Sequence, residues 1–260
     1  MARPVTLITG ASAGIGAALA EEFAAHGHEL VLVARRASQL KAVASAIEAR
    51  GHARPHVVPA DLALPDAGER IAAALAERDV APQYVVNNAG FGLLGAAARL
   101  DRARQLAMID LNARAFTDLS LRFVDSLERQ RGGILNVASV AAFMPGPGMA
   151  VYHATKAYVL SFSEALHREL APRGIRVTAL CPGPVETGFQ AQAGLPPDYF
   201  PRRLTRSAER VAREGYAGLM RGRRVVVPGS DNKVLSLLPR LLPRGLMLAI
   251  MSARRRDGDG

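Results

Sequence analysis

The sequence predicts an α/β protein built on one doubly wound parallel sheet with helices on both faces. Two observations carry this prediction. Short β-branched runs alternate with Ala- and Leu-rich helical stretches along the whole chain, and the strand-like runs lack polar alternation. Strand–helix alternation produces parallel sheets, and continuously apolar strands are typical of sheets buried on both faces. The 260 residues suffice for one large domain, and no linker divides them.

The predicted elements follow one another in a regular order. The strands are VTLIT (5–9), ELVLVA (29–34), ARPHVVPA (53–60), QYVVNN (83–88), GGILNVAS (132–139), IRVTALC (175–181) and RRVVVP (223–228). Helices are predicted from about Ile15, over 38–50, near 66–78, twice within roughly 101–130, around Tyr152 and near 207–220. Branched side chains favour the pleated strand, whereas the Ala, Leu, Glu and Arg of the intervening stretches are good helix formers.

Cysteine usage and the N-terminus favour a cytoplasmic protein. Cys181, the only cysteine, lies in a strand-like run and is expected to be a buried small hydrophobe. A single cysteine cannot form an intrachain disulfide, which is typical of proteins in a reducing compartment. The N-terminal MARPVTLITG runs directly into a strand, so no signal peptide is expected. The longest apolar stretch, 234–251, is interrupted by two prolines and two arginines and falls short of the roughly 20 residues of a transmembrane helix.

Tyr152 and Lys156 lie four residues apart in AVYHATKAYVLSFSEALHREL, and therefore on one face of a predicted helix. An ammonium near a phenol favours the phenolate and lowers the tyrosine pKa from a reference value of about 10. Such a tyrosine can pass a proton to or from a carbonyl oxygen. The plain alternative is a core tyrosine beside a surface lysine, because this spacing is common on helices.

The turn TGASAGIG separates the first strand from the first helix and contains Gly10, Ser12, Gly14, Ile15 and Gly16. Glycines there allow a tight turn and a close approach of the backbone to a pyrophosphate, which the N–H groups of the helix N-terminus can bind. The alternative is a loop whose glycines serve only the turn. The strand before the turn and the helix after it favour the dinucleotide site.

The second strand ends at Ala34 and is followed by Arg35 and Arg36. NAD-binding sites usually place a carboxylate here to hold the ribose 2′-hydroxyl. With no carboxylate and two arginines able to grip a 2′-phosphate, the sequence favours NADP(H) over NAD(H). The alternative is an arginine pair that is simply solvated at an exposed strand end.

TGASAGIG, NNAG at 87–90, Ser139 after a strand and the Y-x-x-x-K pair together resemble the short-chain dehydrogenase/reductase family over nearly the whole chain. The resemblance implies a Rossmann-type fold and the interconversion of a carbonyl and a secondary alcohol. It implies that Asn112 helps to hold a proton-relay water and that Ser139 holds the substrate oxygen. Tyr152 would exchange the proton, while Lys156 would bind the nicotinamide ribose and lower the tyrosine pKa.

The same resemblance implies further cofactor contacts. These are Asp61 and Leu62 at the adenine, Asn88, Ala89 and Gly90 after the fourth strand, and Pro182, Gly183, Val185 and Thr187 in the turn PGPVET at the nicotinamide. Asp61 could equally be a helix cap. One departure concerns Ala13, because many NADP-preferring members of the family carry a basic residue at that position.

Residues 1–231 are expected to form the nucleotide-binding domain with the catalytic residues and a lid at about 188–222, and residues 232–260 a basic, apolar extension. Residues 1–199 hold 19 Lys/Arg against 18 Asp/Glu, whereas residues 200–260 hold 14 against 5. This excess suits a coenzyme A or acyl-carrier partner or peripheral contact with an anionic membrane. The plain alternative is a subunit interface, or a helix that covers the sheet edge, with solvated arginines. The absence of Trp disfavours nucleic acid.

The expected substrate walls are apolar: Phe143, Met149, Phe189, Tyr199 and Phe200 accompany Ser139 and Tyr152. Such a cleft suits a hydrophobic ketone, an acyl thioester or a steroid-like molecule. Arginines 202, 203, 206, 210 and 213 are expected to form a basic rim. No His/Cys/Asp cluster has metal-ligand spacing, so no catalytic metal is expected. The resemblance implies a homodimer or homotetramer built on the helices at 114–130 and 151–171.

The sequence therefore predicts an NADP(H)-dependent oxidoreductase acting on a small carbonyl or alcohol substrate. The alternative is a cofactor-binding sensor or scaffold with incidental activity. The complete set of Asn112, Ser139, Tyr152 and Lys156 disfavours that alternative, since a pure binder needs no tuned phenol.

Overall fold

The computed structural model describes residues 2–196 and 199–256, except for the side chains of residues 240, 241, 250 and 253–256. Within these residues, seven parallel strands form one sheet in the order β3-β2-β1-β4-β5-β6-β7. The strands are β1 (Arg3–Thr9), β2 (Leu30–Ala34), β3 (His56–Pro59), β4 (Val80–Asn87), β5 (Gly133–Val137), β6 (Arg176–Leu180) and β7 (Val225–Val226). The predicted doubly wound parallel sheet is confirmed.

Helices cover both faces of the sheet. They are α1 (Gly14–Ala25), α2 (Ala37–Ala49), α3 (Ala67–Ala76), α4 (Arg102–Ile109), α5 (Phe116–Arg122), α6 (Val124–Arg129), α7 (Ala150–Leu170), α8 (Phe189–Ala193), α9 (Ala208–Met220), α10 (Ser230–Leu241) and α11 (Arg244–Arg256). A π-helical turn, Asp110–Ala115, joins α4 to α5, and a 3₁₀ turn, Val140–Phe143, follows β5.

Alternation along the strands divides the core into two layers. In β1, Leu7 packs with the helices α3, α5, α6 and α7, whereas Ile8 packs with α1, α2 and α9, and both side chains are fully buried. Successive side chains of a strand point to opposite faces, so a sheet covered on both sides needs the uninterrupted apolar strands seen in the sequence.

The chain reverses its direction of winding between β1 and β4, which are neighbours in the sheet although β2 and β3 lie between them in sequence. At this point Thr9 joins the two strand ends. Its hydroxyl donates to the Val86 carbonyl at 3.2 Å and accepts from the backbone N–H groups of Asn88 and Ala89 at 3.0 and 3.1 Å. Ligands of open α/β sheets bind at such a reversal, outside the carboxyl ends of the strands.

Two predicted boundaries concern the C-terminal part of the chain. Within the expected lid range 188–222, α9 packs on α1 and β6, and its Val211, Ala212 and Leu219 are completely buried. The extension expected from residue 232 begins inside α10, where Asn232 is completely buried. Residues 257–260 of the predicted extension lie outside the described residues. Among the described helices, none has both the length and the apolar character that a bilayer crossing requires.

Candidate active site

A cavity of about 810 Å³ opens at the carboxyl ends of the strands, where the winding reverses. All the predicted site residues line this single cavity except Gly16, Asn112 and Phe143. Motifs that are scattered over more than 180 positions of the sequence are thus brought together, since each follows a strand of the same parallel sheet.

The glycine turn fits a pyrophosphate. Gly10 and Gly14 have φ angles of +64° and +56°, which favour glycine. Ala13, at the N-cap of α1, supplies no side-chain acceptor, so no side chain caps the first N–H groups of the helix. A Cβ on Gly14 would lie 3.0 Å from Thr187 Cγ2, which places the turn PGPVET directly against the glycine turn. An anion at this helix end would find unpaired donors and the positive end of the helix dipole.

Gly16 has a packing role instead. A Cβ at this position would lie 2.2 Å from the Gly10 carbonyl oxygen and 2.5 Å from Asn88 Nδ2. The Asn88 amide itself donates to the carbonyl oxygens of Thr9 and Gly10. The absence of a side chain at Gly16 lets α1 close onto the end of β1 and so fixes the turn that lines the cavity.

Arg35 and Arg36 lie exposed at the cavity, directly after β2, and neither forms an ion pair with a carboxylate of the described residues. Both are therefore available to an anionic ligand. Asp61 also lines the cavity, and its side chain accepts from the N–H of Ala63 at 3.0 Å. It thus makes a local turn of its own chain and does not cap α3, whose N-cap is Asp66.

Ser139, Tyr152 and Lys156 face the same part of the cavity. The Ser139 hydroxyl accepts from the N–H of Ala141 at 3.1 Å and so caps the 3₁₀ turn that follows β5. The Lys156 ammonium donates to the Val137 carbonyl at 2.8 Å and lies 5.9 Å from the centre of the Tyr152 ring. These contacts fix the three side chains on two neighbouring elements, the end of β5 and the first turns of α7.

The prediction that Lys156 lowers the Tyr152 pKa is wrong for the protein without a bound cofactor. Burial raises the pKa of Tyr152 to about 12, and the hydrogen bond with Ser139 acts in the opposite direction. Burial also lowers the pKa of Lys156 to about 8, so the lysine carries its charge at a cost in the same low-dielectric surroundings. At neutral pH the tyrosine is therefore a phenol, the form that can donate a proton.

Asn112 lies behind the cavity in the π-helical turn and is 2% exposed. Its side chain accepts from the N–H of Phe91 at 3.1 Å and donates to the Phe91 carbonyl and to Thr155 Oγ1. Thr155 donates in turn to the Tyr152 carbonyl at 2.8 Å. A Cβ on Gly90 would lie 3.0 Å from Asn112 Oδ1 and 3.5 Å from Lys156 Nζ, so both side chains flank this glycine. π-Helical turns are frequent at functional sites.

Most of the predicted apolar walls are present. Phe189 packs against Tyr152 with ring centres 5.5 Å apart, and Tyr199 meets Phe200 edge to face at 4.8 Å. Met149 is buried beside them. Phe143 is a correction, since it turns away from the cavity and packs into the cluster around Val159 and Cys181. The 3₁₀ turn after Ser139 rotates its last residue out of the cavity.

The sequence did not identify several residues of the site. Leu195, Leu204, Leu235 and Met251 complete the apolar wall, and the last two come from α10 and α11. The signal for Leu235 and Met251 is the apolar stretch 234–251, for which the sequence leaves a membrane surface, a subunit interface and a sheet-edge cover all open. His153 is a further omission: its Nδ1 donates to the Met144 carbonyl at 2.8 Å and holds the loop before α7, and burial lowers its pKa.

The predicted basic rim is partly neutralised. Arg206 is largely buried and pairs with Asp231 at 3.3 Å, and Arg210 pairs with Glu214 at 3.0 Å on α9. Two of the five arginines predicted for the rim are thus paired with carboxylates, and none of the five lines the cavity. Within the described part of the chain, no group of three His, Cys, Asp or Glu side chains could hold a metal ion.

Comparison with known proteins finds related sequences and related structures. Residues 4–196 match the family model described as short chain dehydrogenase. A sulfoacetaldehyde reductase of Chromohalobacter salexigens is 38% identical over 185 residues, which are 70% of this chain and 72% of that protein. A short-chain dehydrogenase from Sphingobium yanoikuyae, solved in complex with NADPH, has a TM-score of 0.80 and 32% identity over 96% of this chain and 95% of its own. A bulky-bulky ketone specific alcohol dehydrogenase from Comamonas testosteroni has a TM-score of 0.76 and 31% identity, covering 95% and 94%.

Proposed function

The chain belongs to the short-chain dehydrogenase family and is an oxidoreductase, and on this premise we propose that it interconverts a hydrophobic ketone and its secondary alcohol with NADP(H). The observation that carries the proposal is that Ser139, Tyr152 and Lys156 share one cavity with the glycine turn and the two arginines after β2. A hydride carrier and a proton donor can therefore meet over one carbonyl group.

The residues that would hold the cofactor follow the cavity from end to end. The N–H groups of the glycine turn would bind its pyrophosphate, and Arg35 and Arg36 would bind its 2′-phosphate. Lys156 would bind the nicotinamide ribose hydroxyls, while the Val185 backbone and Thr187 would bind the carboxamide. When bound, the cofactor would supply the hydride for the carbonyl carbon.

The protein's own part of the reaction is the movement of a proton. The Ser139 hydroxyl donates a hydrogen bond to the substrate carbonyl oxygen, and Tyr152, a phenol at neutral pH because of its raised pKa, donates the proton. Lys156, with a pKa of about 8, can then return a proton to the tyrosine near neutral pH. A water molecule near Asn112 would connect it to solvent, since Asn112 and Lys156 both flank Gly90.

The substrate class follows from the character of the walls. Phe189, Phe200, Leu195, Leu235 and Met251 are apolar, and the cations of the cavity lie either at the cofactor arginines, at Arg104 or at Lys156. A sulfonate or carboxylate substrate would need a cation close to the reacting carbonyl, and among the described cations that line the cavity only the exposed Arg104 has no proposed role at the cofactor or in proton transfer. The walls instead favour a ketone with large apolar groups, which agrees with the ketone specificity named for the Comamonas testosteroni enzyme.

A homologous series of ketones, reduced with NADPH, tests this proposal. Each methylene buried in the cavity contributes about 0.8 kcal/mol, so kcat/KM should rise roughly three- to fourfold per carbon until the cavity is full. Leu235→Ala should move the optimum to a longer ketone, whereas Leu237→Ala, at an exposed position of the same helix, should not. Highest activity with sulfoacetaldehyde, or no dependence on chain length, would contradict the assignment.

Two groups of exposed apolar side chains suggest surfaces that contact a second subunit or a membrane. On α4, α5 and α7, Leu106, Leu121 and Tyr158 are 52%, 49% and 42% exposed. The resemblance to the family implied a homodimer or a homotetramer, and of these two we assign this face to a homodimer. On α10 and α11, Leu237 and Leu246 are 51% and 49% exposed, and residues 232–256 hold six Lys/Arg and no Asp/Glu. We assign this second face to an anionic bilayer surface, because exposed apolar side chains in a segment with an excess of basic residues favour contact with anionic lipids.

Paired substitutions separate the two faces. Leu237→Gln with Leu246→Gln should weaken binding to phosphatidylglycerol-containing vesicles at least about tenfold and leave the dimer intact, since each buried leucine contributes about 1.5–3 kcal/mol. Leu106→Gln with Leu121→Gln should give a monomer by light scattering and leave vesicle binding unchanged. Dissociation of the dimer by the first pair would make α10 and α11 a subunit interface. Preference for an acidic carrier protein over vesicles would contradict the membrane assignment.

A further inference from the structure

Asn232, near the beginning of α10, connects three parts of the molecule. It is completely buried. Its Nδ2 donates to the Leu204 carbonyl at 3.2 Å and to the Pro228 carbonyl at 3.0 Å. Leu204 ends the 3₁₀ turn of the lid (Arg202–Leu204), and Pro228 follows β7. One side chain therefore ties the lid to the edge of the sheet.

The same amide packs against the turn Pro182–Thr187. A Cβ on Gly183 would lie 2.4 Å from Asn232 Oδ1 and 2.5 Å from its Cγ and Nδ2, so the two groups are in close contact. The turn and the lid also run side by side. Val185 pairs with Arg206 in a β-bridge, and the Arg206 N–H donates to the Pro184 carbonyl at 3.0 Å. Asn232 lies behind this pair of segments and does not line the cavity.

We propose that Asn232 is a positioning residue for the nicotinamide half of the cofactor site. It holds Gly183, and with it Val185 and Thr187, against the cavity, and it fixes the lid at Leu204. The inference rests on the proposed function, because it assumes that the turn after β6 faces the nicotinamide. The adenosine half of the site, formed by the glycine turn, Arg35 and Arg36, has no contact with Asn232.

Substitution of Asn232 should therefore affect the two halves of the cofactor site differently, whereas a general loss of stability would affect both halves alike. Asn232→Ala should lower kcat/KM for ketone reduction with NADPH about tenfold, since two buried hydrogen bonds are lost. Binding of 2′,5′-ADP, which occupies only the adenosine half, should change less than about twofold by calorimetry. Ser236→Ala is the matched control. Ser236 is also a buried residue of α10, and its hydroxyl donates to the Lys233 carbonyl of the same helix. Its substitution should therefore leave both kcat/KM and 2′,5′-ADP binding at the wild-type level.

A milder variant and a coupled variant complete the test. Asn232→Ser keeps a donor for the Pro228 carbonyl four residues back but loses the bond to Leu204, and should show a smaller loss of the same kind. Gly183→Ala should impair hydride transfer less in the Asn232→Ala background, where the new methyl has room. Equal losses of NADPH turnover and 2′,5′-ADP binding, or no loss of either, would overturn the inference. Failure of the wild type to bind either nucleotide would instead refute the cofactor assignment.

Discussion

Tyr152→Phe is expected to lower kcat for ketone reduction at least about 100-fold, because a positioned general acid typically contributes 10²–10⁴ to the rate. The variant keeps the ring that packs against Phe189 and removes only the proton that the phenol donates. Binding of NADPH should stay within about twofold, since the loss is confined to the chemical step. Steady-state kinetics together with fluorescence titration of the cofactor measure both quantities.

Tyr158→Phe is the matched control on the same helix. Its hydroxyl forms a hydrogen bond with Thr117 Oγ1 at 2.7 Å at an exposed position, and neither residue lines the cavity, so turnover should not change. The thermal unfolding midpoint of both variants should remain close to that of the wild type. If Tyr152→Phe kept turnover within about threefold of the wild type, Tyr152 would not be the proton donor, and another acid would have to be sought in the cavity.

Substitution of Arg35 and Arg36 together by alanine should raise the KM for NADPH roughly 30-fold and leave the KM for NADH within about twofold. Charge-assisted hydrogen bonds to a phosphate contribute about 1.5–3 kcal/mol each when shielded and less at an exposed site such as this one. NADH lacks the 2′-phosphate and has nothing to lose. Initial rates over a range of each cofactor, at one fixed ketone concentration, give the four constants.

Two further variants serve as a control and as a converse test of the cofactor assignment. Arg50→Ala removes an exposed arginine that pairs with Glu21 at 2.6 Å at the far end of α2, and it should change neither constant. Ala34→Asp adds the carboxylate that ribose-binding sites carry at the end of β2, and it should shift the preference towards NADH. A wild type that prefers NADH, or arginine substitutions that weaken both cofactors equally, would contradict the assignment of NADP(H).

The sequence predicted the sheet and most of the cavity for one physical reason. Gly10, Asn88, Ser139 and Gly183 each follow a parallel strand, and the carboxyl ends of parallel strands meet at one edge of the sheet. Local patterns therefore sufficed to bring them together. Phe143 was misplaced because its direction depends on one 3₁₀ turn, which apolar periodicity does not reveal.

The remaining differences arise from tertiary packing. The Tyr152 pKa depends on how deeply the hydroxyl is buried and not only on the lysine four residues away, so the spacing alone gave the wrong direction. Leu235, Met251 and Asn232 belong to helices whose apolar side could equally have faced a membrane or a partner. Only the folded chain shows that α10 turns one face inward and presents the other to solvent.

The entry of α10 and α11 into the cavity wall has a consequence for how such a protein can diversify. The groups proposed for proton and hydride transfer lie before α10, whereas Leu235 and Met251 belong to α10 and α11. We therefore expect substitutions at these two positions to change which substrates fit the cavity while the proposed proton donor and cofactor contacts stay in place. Asn232 is the exception on α10, because by the inference above its side chain positions the turn after β6.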